Sequence, residues 1–214
     1  MSADPAAKRA VAFVDGQNLF HSAREAFGYN HPNYDIKALA ESICRSKGWQ
    51  LAQARFYTGI PDPSDNAQWH RFWIAKLLSM SRTGVYTFSR PLRYRHKTIQ
   101  LADGKEHSVL TGEEKGIDLR LALDVISLAH KTEYDVALIF SQDQDLSEVA
   151  EEIRAIRREQ NRWLKIASAF PQSPMSRNRR GVNKTDWVPI DKKTYDACLD
   201  PRDYRKALLE EGTP

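Results

Sequence analysis

Short apolar runs and amphipathic stretches take turns along this chain. Residues 11–14 form an apolar run of β type that closes on Asp15-Gly16. Residues 19–27 and 36–46 each carry the spacing of a helix. Residues 51–58 alternate loosely, as a strand does, and stop at the breaker Gly59-Ile60-Pro61-Asp62-Pro63. Over 65–81 the residues Trp69, Phe72, Trp73, Lys76, Leu77 and Met80 fall largely on one face of a helix. That spacing assigns Trp69, Phe72 and Trp73 to the core rather than to a base-stacking surface. Residues 85–88 predict a further strand. Ala102-Asp103-Gly104 between two β-prone runs predicts a hairpin over 94–110. A strongly helical stretch covers 117–130, and 136–140 is apolar throughout, the mark of a strand buried on both faces. An amphipathic helix over 145–160 and a strand over 163–169 follow. Residues 187–211 read as a short extended piece and then helix.

Strands alternating with helices predict an α/β layer fold with a mainly parallel sheet. In such sheets, sites form beyond the carboxyl ends of the strands. Acidic residues stand at three such junctions. Asp15 follows the first strand; Gly16 permits close approach to a ligand, and Asn18 either bonds a phosphate or a metal-bound water or caps a helix. Asp118, in Lys115-Gly116-Ile117-Asp118, shares a helical face with Leu121, Ala122 and Val125. A carboxylate there needs a partner if buried, or else it serves the helix dipole. Asp124, six residues on, points roughly 120° away and reads as supporting. The third junction is Ser141-Gln142-Asp143-Gln144-Asp145-Leu146. Asp145 with Glu148 has the form of a capping box, which leaves Asp143 unexplained. Carboxylates gathered at ~4 Å repel one another unless a cation lies between them. Hard oxygen ligands without His or Cys select Mg²⁺ or Mn²⁺ over zinc. The six histidines show no ligand spacing.

Composition narrows the field. A chain of 214 residues, 41% hydrophobic and 28% charged, makes one domain with a packed core. Its longest apolar runs have five residues, whereas a membrane-spanning helix needs about 20. The N-terminus lacks the apolar core of a signal peptide. Cys44 and Cys198, far apart, exclude a zinc site of the cysteine type and fit a reducing, cytoplasmic setting. Lys and Arg exceed Asp and Glu by 32 − 28 = 4. Residues 90–97 and 173–184 each carry four positive charges and no acid. From them Arg93, Arg95 and Lys97, and Arg177, Arg179, Arg180 and Lys184, are candidates to contact phosphates, with Tyr94 to stack on a base. The alternative is a solvated basic surface.

The motifs Val14-Asp15-Gly16-Gln17-Asn18, Lys115-Gly116-Ile117-Asp118 and Ser141-Gln142-Asp143-Gln144-Asp145-Leu146 together resemble the NYN domain, a family of PIN-like nucleases. Its usual pattern is Asp-x-x-Asn, Lys-Gly-x-Asp and Ser-Gly-Asp-Ser-Asp, and the likeness spans about residues 10–190. The resemblance implies a three-layer α/β/α PIN-like fold around a mainly parallel sheet. A flexible 1–9, a hairpin insertion near 92–112 and a helical extension over 191–214 would surround that domain. It implies a metal-dependent endoribonuclease in which Asp15, Asp118, Asp143 and Asp145 are catalytic and hold Mg²⁺ or Mn²⁺. Asn18, Lys115 and Ser141 would join the basic residues on the substrate, an RNA, expected single-stranded. Asp186 is the match for a later acid of the family. Gln142 and Gln144 depart from the usual Gly and Ser, which keeps a second reading open: an RNA-binding or regulatory module with weak or no catalysis. A haloacid-dehalogenase-like phosphatase fits less well, because Gln17 stands where its second acid belongs. RNA versus single-stranded DNA, one metal or two, and assembly of identical chains stay open.

Overall fold

The structure, a computed structural model, describes residues 5–100 and 106–205. Its elements run β1 (Lys8–Asp15), α1 (Gly16–Phe27), α2 (Ile36–Ser46), β2 (Trp49–Ile60), α3 (Pro63–Arg82) and β3 (Tyr86–Pro91). Next come β4 (Arg93–Gln100), β5 (Glu106–Glu113), α4 (Ile117–His130), β6 (Val136–Phe140), a 3-10 turn (Gln144–Leu146) and α5 (Ser147–Glu159). The described residues end with β7 (Lys165–Pro171), β8 (Asp186–Ile190) and α6 (Lys192–Asp196). Six strands form one sheet in the order β3-β2-β1-β6-β7-β8, every neighbouring pair parallel. β4 and β5 pair antiparallel as a separate two-stranded ribbon.

Alternation within β1 divides the core. Ala10, Ala12 and Val14 face one side with Leu19 and Ala23 of α1, Leu39 and Ile43 of α2, and Phe72 and Leu77 of α3. Val11 and Phe13 face the other with Leu121 and Val125 of α4 and Val149 and Ile153 of α5. The result is three layers, α/β/α. Strand order reverses between β1 and β6, the topological switch point where α/β sheets bind ligands. Among the described residues no helix is long and apolar enough to cross a membrane.

Most of the expected elements appear, and the differences have local causes. α1 starts a turn earlier than expected because Asp15 caps it, accepting from the Asn18 N–H at 2.9 Å. The expected helix over 145–160 splits into the 3-10 turn and α5, with Asp143 as the turn's cap: it accepts from the Asp145 N–H at 3.0 Å. Capping at this junction thus belongs to Asp143 and not to Asp145. Of the expected helical extension over 191–214, the described residues 191–205 hold one short helix, α6, and the remainder lies outside the described residues. After α6 the chain turns to pair with the segment before α2, the Asp35 N–H donating to the Cys198 carbonyl and the Asp200 N–H to that of Asn33, both at 2.8 Å. The expected turn of the hairpin lies outside the described residues.

Candidate active site

Each parallel strand delivers its last residue to the same edge of the sheet. Asp15 ends β1 in register with Tyr57, beside Val14 paired with Phe140. Gly16 is required next: a Cβ there would strike the Phe56 ring and come within 3.0 Å of the Tyr57 carbonyl oxygen. Asp15 is only 5% exposed, and the Ser141 hydroxyl donates to its second oxygen at 3.4 Å. Burial raises its pKa from 3.8 to about 7, against the help of the Asn18 N–H, and the charges of Asp118 and Asp143 add to the rise.

The residues after β6 brace this carboxylate. The Ser141 oxygen accepts from the Asp143 N–H at 3.1 Å, and the Asn18 side-chain oxygen accepts from the Gln142 N–H at 2.9 Å. Asn18 and Ser141, expected on the substrate, therefore tie the ends of β1 and β6 together. Asp143 is half-buried and Asp145 exposed.

α4 enters from the opposite layer. Gly116 adopts φ 75° at its N-cap, a left-handed conformation that favours glycine, and a Cβ there would meet the Arg90 guanidinium at 2.7 Å. Asp118 follows in the first turn. It does not lie on the buried face as its spacing suggested: Leu121 and Val125 are buried and Asp118 is exposed. Partial desolvation, then Asp143 and Asp145, still raise its pKa. Asp124 is buried on this helix with Arg55 at 2.9 Å, the Tyr57 hydroxyl at 2.7 Å and Arg120 at 2.6 Å. Its role is structural.

A fifth acid completes the cluster. Glu114 precedes Lys115, accepts from the Gly59 N–H, and lies 3.5 Å from the Thr58 hydroxyl. Burial pushes its carboxyl up to about 8, and Asp15 and Asp118 contribute. The sequence offered only its position one residue before the Lys-Gly-x-Asp motif. Beyond burial, the charges that raise these carboxyls are other carboxylates: Asp118 and Asp143 for Asp15, Asp15 and Asp118 for Glu114, Asp143 and Asp145 for Asp118. Lys115, next to Glu114 in the chain, is exposed, and its charge acts on Glu113. Among the described residues no three such side chains converge closely enough to clasp a metal ion as they stand.

The two basic segments behave differently. The segment between β7 and β8 is anchored over the strand ends by the two glutamines. Gln142 donates to the carbonyls of Arg180 at 2.9 Å and Asn178 at 3.3 Å, and accepts from Ser22 at 2.8 Å. Gln144 donates to the Gly181 carbonyl and accepts from the Asn183 N–H, both at 3.1 Å. Arg177, Arg179 and Arg180 are exposed on this anchored segment, and the Arg177 N–H donates to Glu25 of α1. Arg179 spends part of its guanidinium on the carbonyls of Ser176 and Pro174, and Arg180 bonds Asn183 at 3.2 Å. On the ribbon, Arg93 and Arg95 are exposed, while Lys97 pairs with Glu113 at 2.6 Å. Tyr94 is pinned to the start of α3, accepting from the Asp62 N–H at 2.9 Å and donating to Asp65 at 3.0 Å. Its hydroxyl is committed there.

Asp186 does not join the acids. It opens β8 opposite Ala167, which pairs with Leu138 and so lies level with Ala12, three residues short of the end of β1. It is exposed and pairs with Lys165 at 2.6 Å. Alignment of a motif cannot see this register; the strand pairing can.

A family model described as the NYN domain matches residues 9–176. Among solved structures, a Vibrio parahaemolyticus protein of unknown function superposes with a TM-score of 0.53 at 20% identity, covering 94% of this chain and 100% of that one. At that identity the likeness is one of fold. No curated protein matches the chain.

Proposed function

Because the chain belongs to the NYN domain family, whose members are generally ribonuclease-like, we propose that it is a metal-dependent endoribonuclease acting on single-stranded RNA. The supporting observation is the electrostatics of the strand ends: beyond burial, Asp118 and Asp143 raise the pKa of Asp15, Asp15 and Asp118 raise that of Glu114, and Asp143 and Asp145 raise that of Asp118. Oxygen donors of this kind, with no His or Cys among them, suit Mg²⁺ or Mn²⁺. Asp15, Asp118, Asp143 and Asp145 would hold the ion. Such an ion would supply Lewis-acid chemistry to a phosphoryl oxygen and to the attacking water. The chain's own part is to hold and orient. Asn18 and Ser141 fix Asp15, and Glu114 backs it from the Gly59 N–H. Arg90, over Gly116, and Lys115 flank α4, while Arg177 and Arg180 approach from the anchored loop; phosphate contacts of this sort position a strand without reading its sequence. Arg93 and Arg95 extend the basic surface along the ribbon. The expected products carry 5′-phosphate and 3′-hydroxyl ends, with no covalent enzyme intermediate.

The two glutamines favour a second reading, an RNA-binding module with weak catalysis. They fill the strand-end turn where the family usually carries Gly and Ser. Cleavage of a labelled single-stranded RNA decides, run with Mn²⁺, with Mg²⁺ and with chelator beside Asp143→Asn. The proposal expects cleavage that needs the metal and falls at least ~10²-fold in the variant. Salt-sensitive binding without cleavage supports the second reading instead.

A further inference from the structure

A cavity of about 320 Å³ opens beside the acids, between α1, the end of β2, the start of α3 and the root of the ribbon. Its walls begin with residues already tied to the acid cluster. Gln17 follows Asp15 by two positions, and Gly59 supplies the N–H that holds Glu114. Trp69, Trp73 and Phe20 also line it.

The sequence makes these rings a wall through a break in α3. Asn66 leaves the helix (φ −147°, ψ 81°), and its side-chain oxygen accepts from the Trp69 N–H at 3.0 Å, restarting the helix there. Trp69 and Trp73, one turn apart, then face the same cavity. They are held from behind. Trp69 meets Phe72 edge-on at 4.9 Å between ring centroids, and Trp73 packs on Phe72 at 5.4 Å and Phe56 at 5.9 Å. Trp69 is half-buried, so part of its ring remains available. The expectation that Trp69, Phe72 and Trp73 all belong to the core holds for Phe72, 1% exposed, but not for the whole of Trp69.

The chemistry of the lining selects the occupant. Among the described residues neither lysine nor arginine lines the cavity, and Asp65 and the neighbouring acids repel anions, so it does not suit a phosphate. Flat aromatic walls suit a flat, uncharged ring, and the side-chain amides of Gln17 and Asn66 offer both donors and acceptors to its edge. The volume stands at the small end of ligand sites, roughly 300 Å³ upward, which suits one base and not a stack. We infer that this cavity receives one nucleobase of the RNA, from a nucleotide adjoining the scissile phosphate, stacked against Trp69. The inference rests on the ribonuclease reading of the acids, and it names the part of the substrate that they leave unspecified.

An abasic scan tests it. Short single-stranded RNAs, each lacking the base at one position, are titrated into the protein in chelator, where no cleavage occurs, and binding is followed by tryptophan fluorescence and by filter retention. The expected result is one position whose missing base weakens binding about tenfold, the size of a lost stacking contact. The same position should be insensitive in Trp69→Ala. A scan with no sensitive position, or one equally sensitive in Trp69→Ala, overturns the inference. If Trp69→Ala does not fold, Gln17→Ala takes its place, with sensitivity expected to be reduced. A sensitive position together with no cleavage in metal would sink the hydrolytic reading and leave the base site standing. Cleavage together with a flat scan would do the reverse.

Discussion

Two aspartates in this protein are buried to the same degree and live opposite lives. Asp15 and Asp124 are each 5% exposed. Asp124 is met by two guanidinium groups and a phenol, so its charge is compensated inside the fold. Asp15 is met by a peptide N–H, a distant hydroxyl and further carboxylates. The first arrangement fastens α4 to β2. The second is held in place by the rest of the fold at a cost in stability, as binding centres often are. Burial alone does not separate structure from function; the sign of the neighbours does.

The largest predicted effect breaks the Asp15 side of this contrast. Asp15→Asn should lower RNA cleavage by ~10³-fold. The same change should raise the melting temperature of the metal-free protein by a few degrees, because it removes a buried, repelled charge. A rise from 3.8 to about 7 corresponds to an upper limit of about 4 kcal/mol. Calorimetry and a cleavage assay on one preparation check both arms.

Breaking the Asp124 side should do the opposite. Asp124→Ala leaves Arg55 buried without its partner and should cost about 3–5 kcal/mol in urea unfolding. Cleavage per folded molecule should stay close to that of the unaltered protein.

The pH dependence sharpens the comparison. The folded state holds the Asp15 proton more tightly than the unfolded chain does, so between about 4 and about 7 it binds more protons. This contribution to stability is therefore fully present below about pH 4 and is lost as pH rises through about 7. Glu114 extends the same trend to about 8. Melting curves in chelator across this range should show the decline, and Asp15→Asn should flatten it.

The smallest effect concerns the loop that the glutamines hold. Gln142→Gly restores the usual family residue and removes the bonds to Asn178, Arg180 and Ser22. At ~0.5–1.5 kcal/mol net for each bond, trypsin should cut after Arg177, Arg179 or Arg180 several-fold faster. KM for RNA should rise with little change in kcat, as expected if the loop positions substrate.

The order of layers was readable because it rests on local patterns. Ile36–Ser46, Ile117–His130 and Val136–Phe140 fall at the bounds that periodicity alone suggested. The strand-end positions of Asp15 and Asp143 were readable because chain order in α/β folds sends each such junction to one edge, whereas Asp118 opens α4 after the separate ribbon. What escaped depends on distant pairing. Glu114 reaches Gly59 only after the ribbon returns the chain 55 residues later. Asp186 satisfied a motif but not a register. The cavity beside Trp69 depends on one unwound residue, Asn66, within a stretch whose spacing looks uniformly helical.

The central claim is that the carboxylates around Asp15 await a divalent cation. Titrating Mn²⁺ into the metal-free protein at pH 7.5 while following its melting temperature tests this directly. The account predicts a saturable rise of several degrees that Asp15→Asn lacks, since that variant has already lost the repulsion the ion would relieve. An equal rise in both proteins, or none in either, would contradict it.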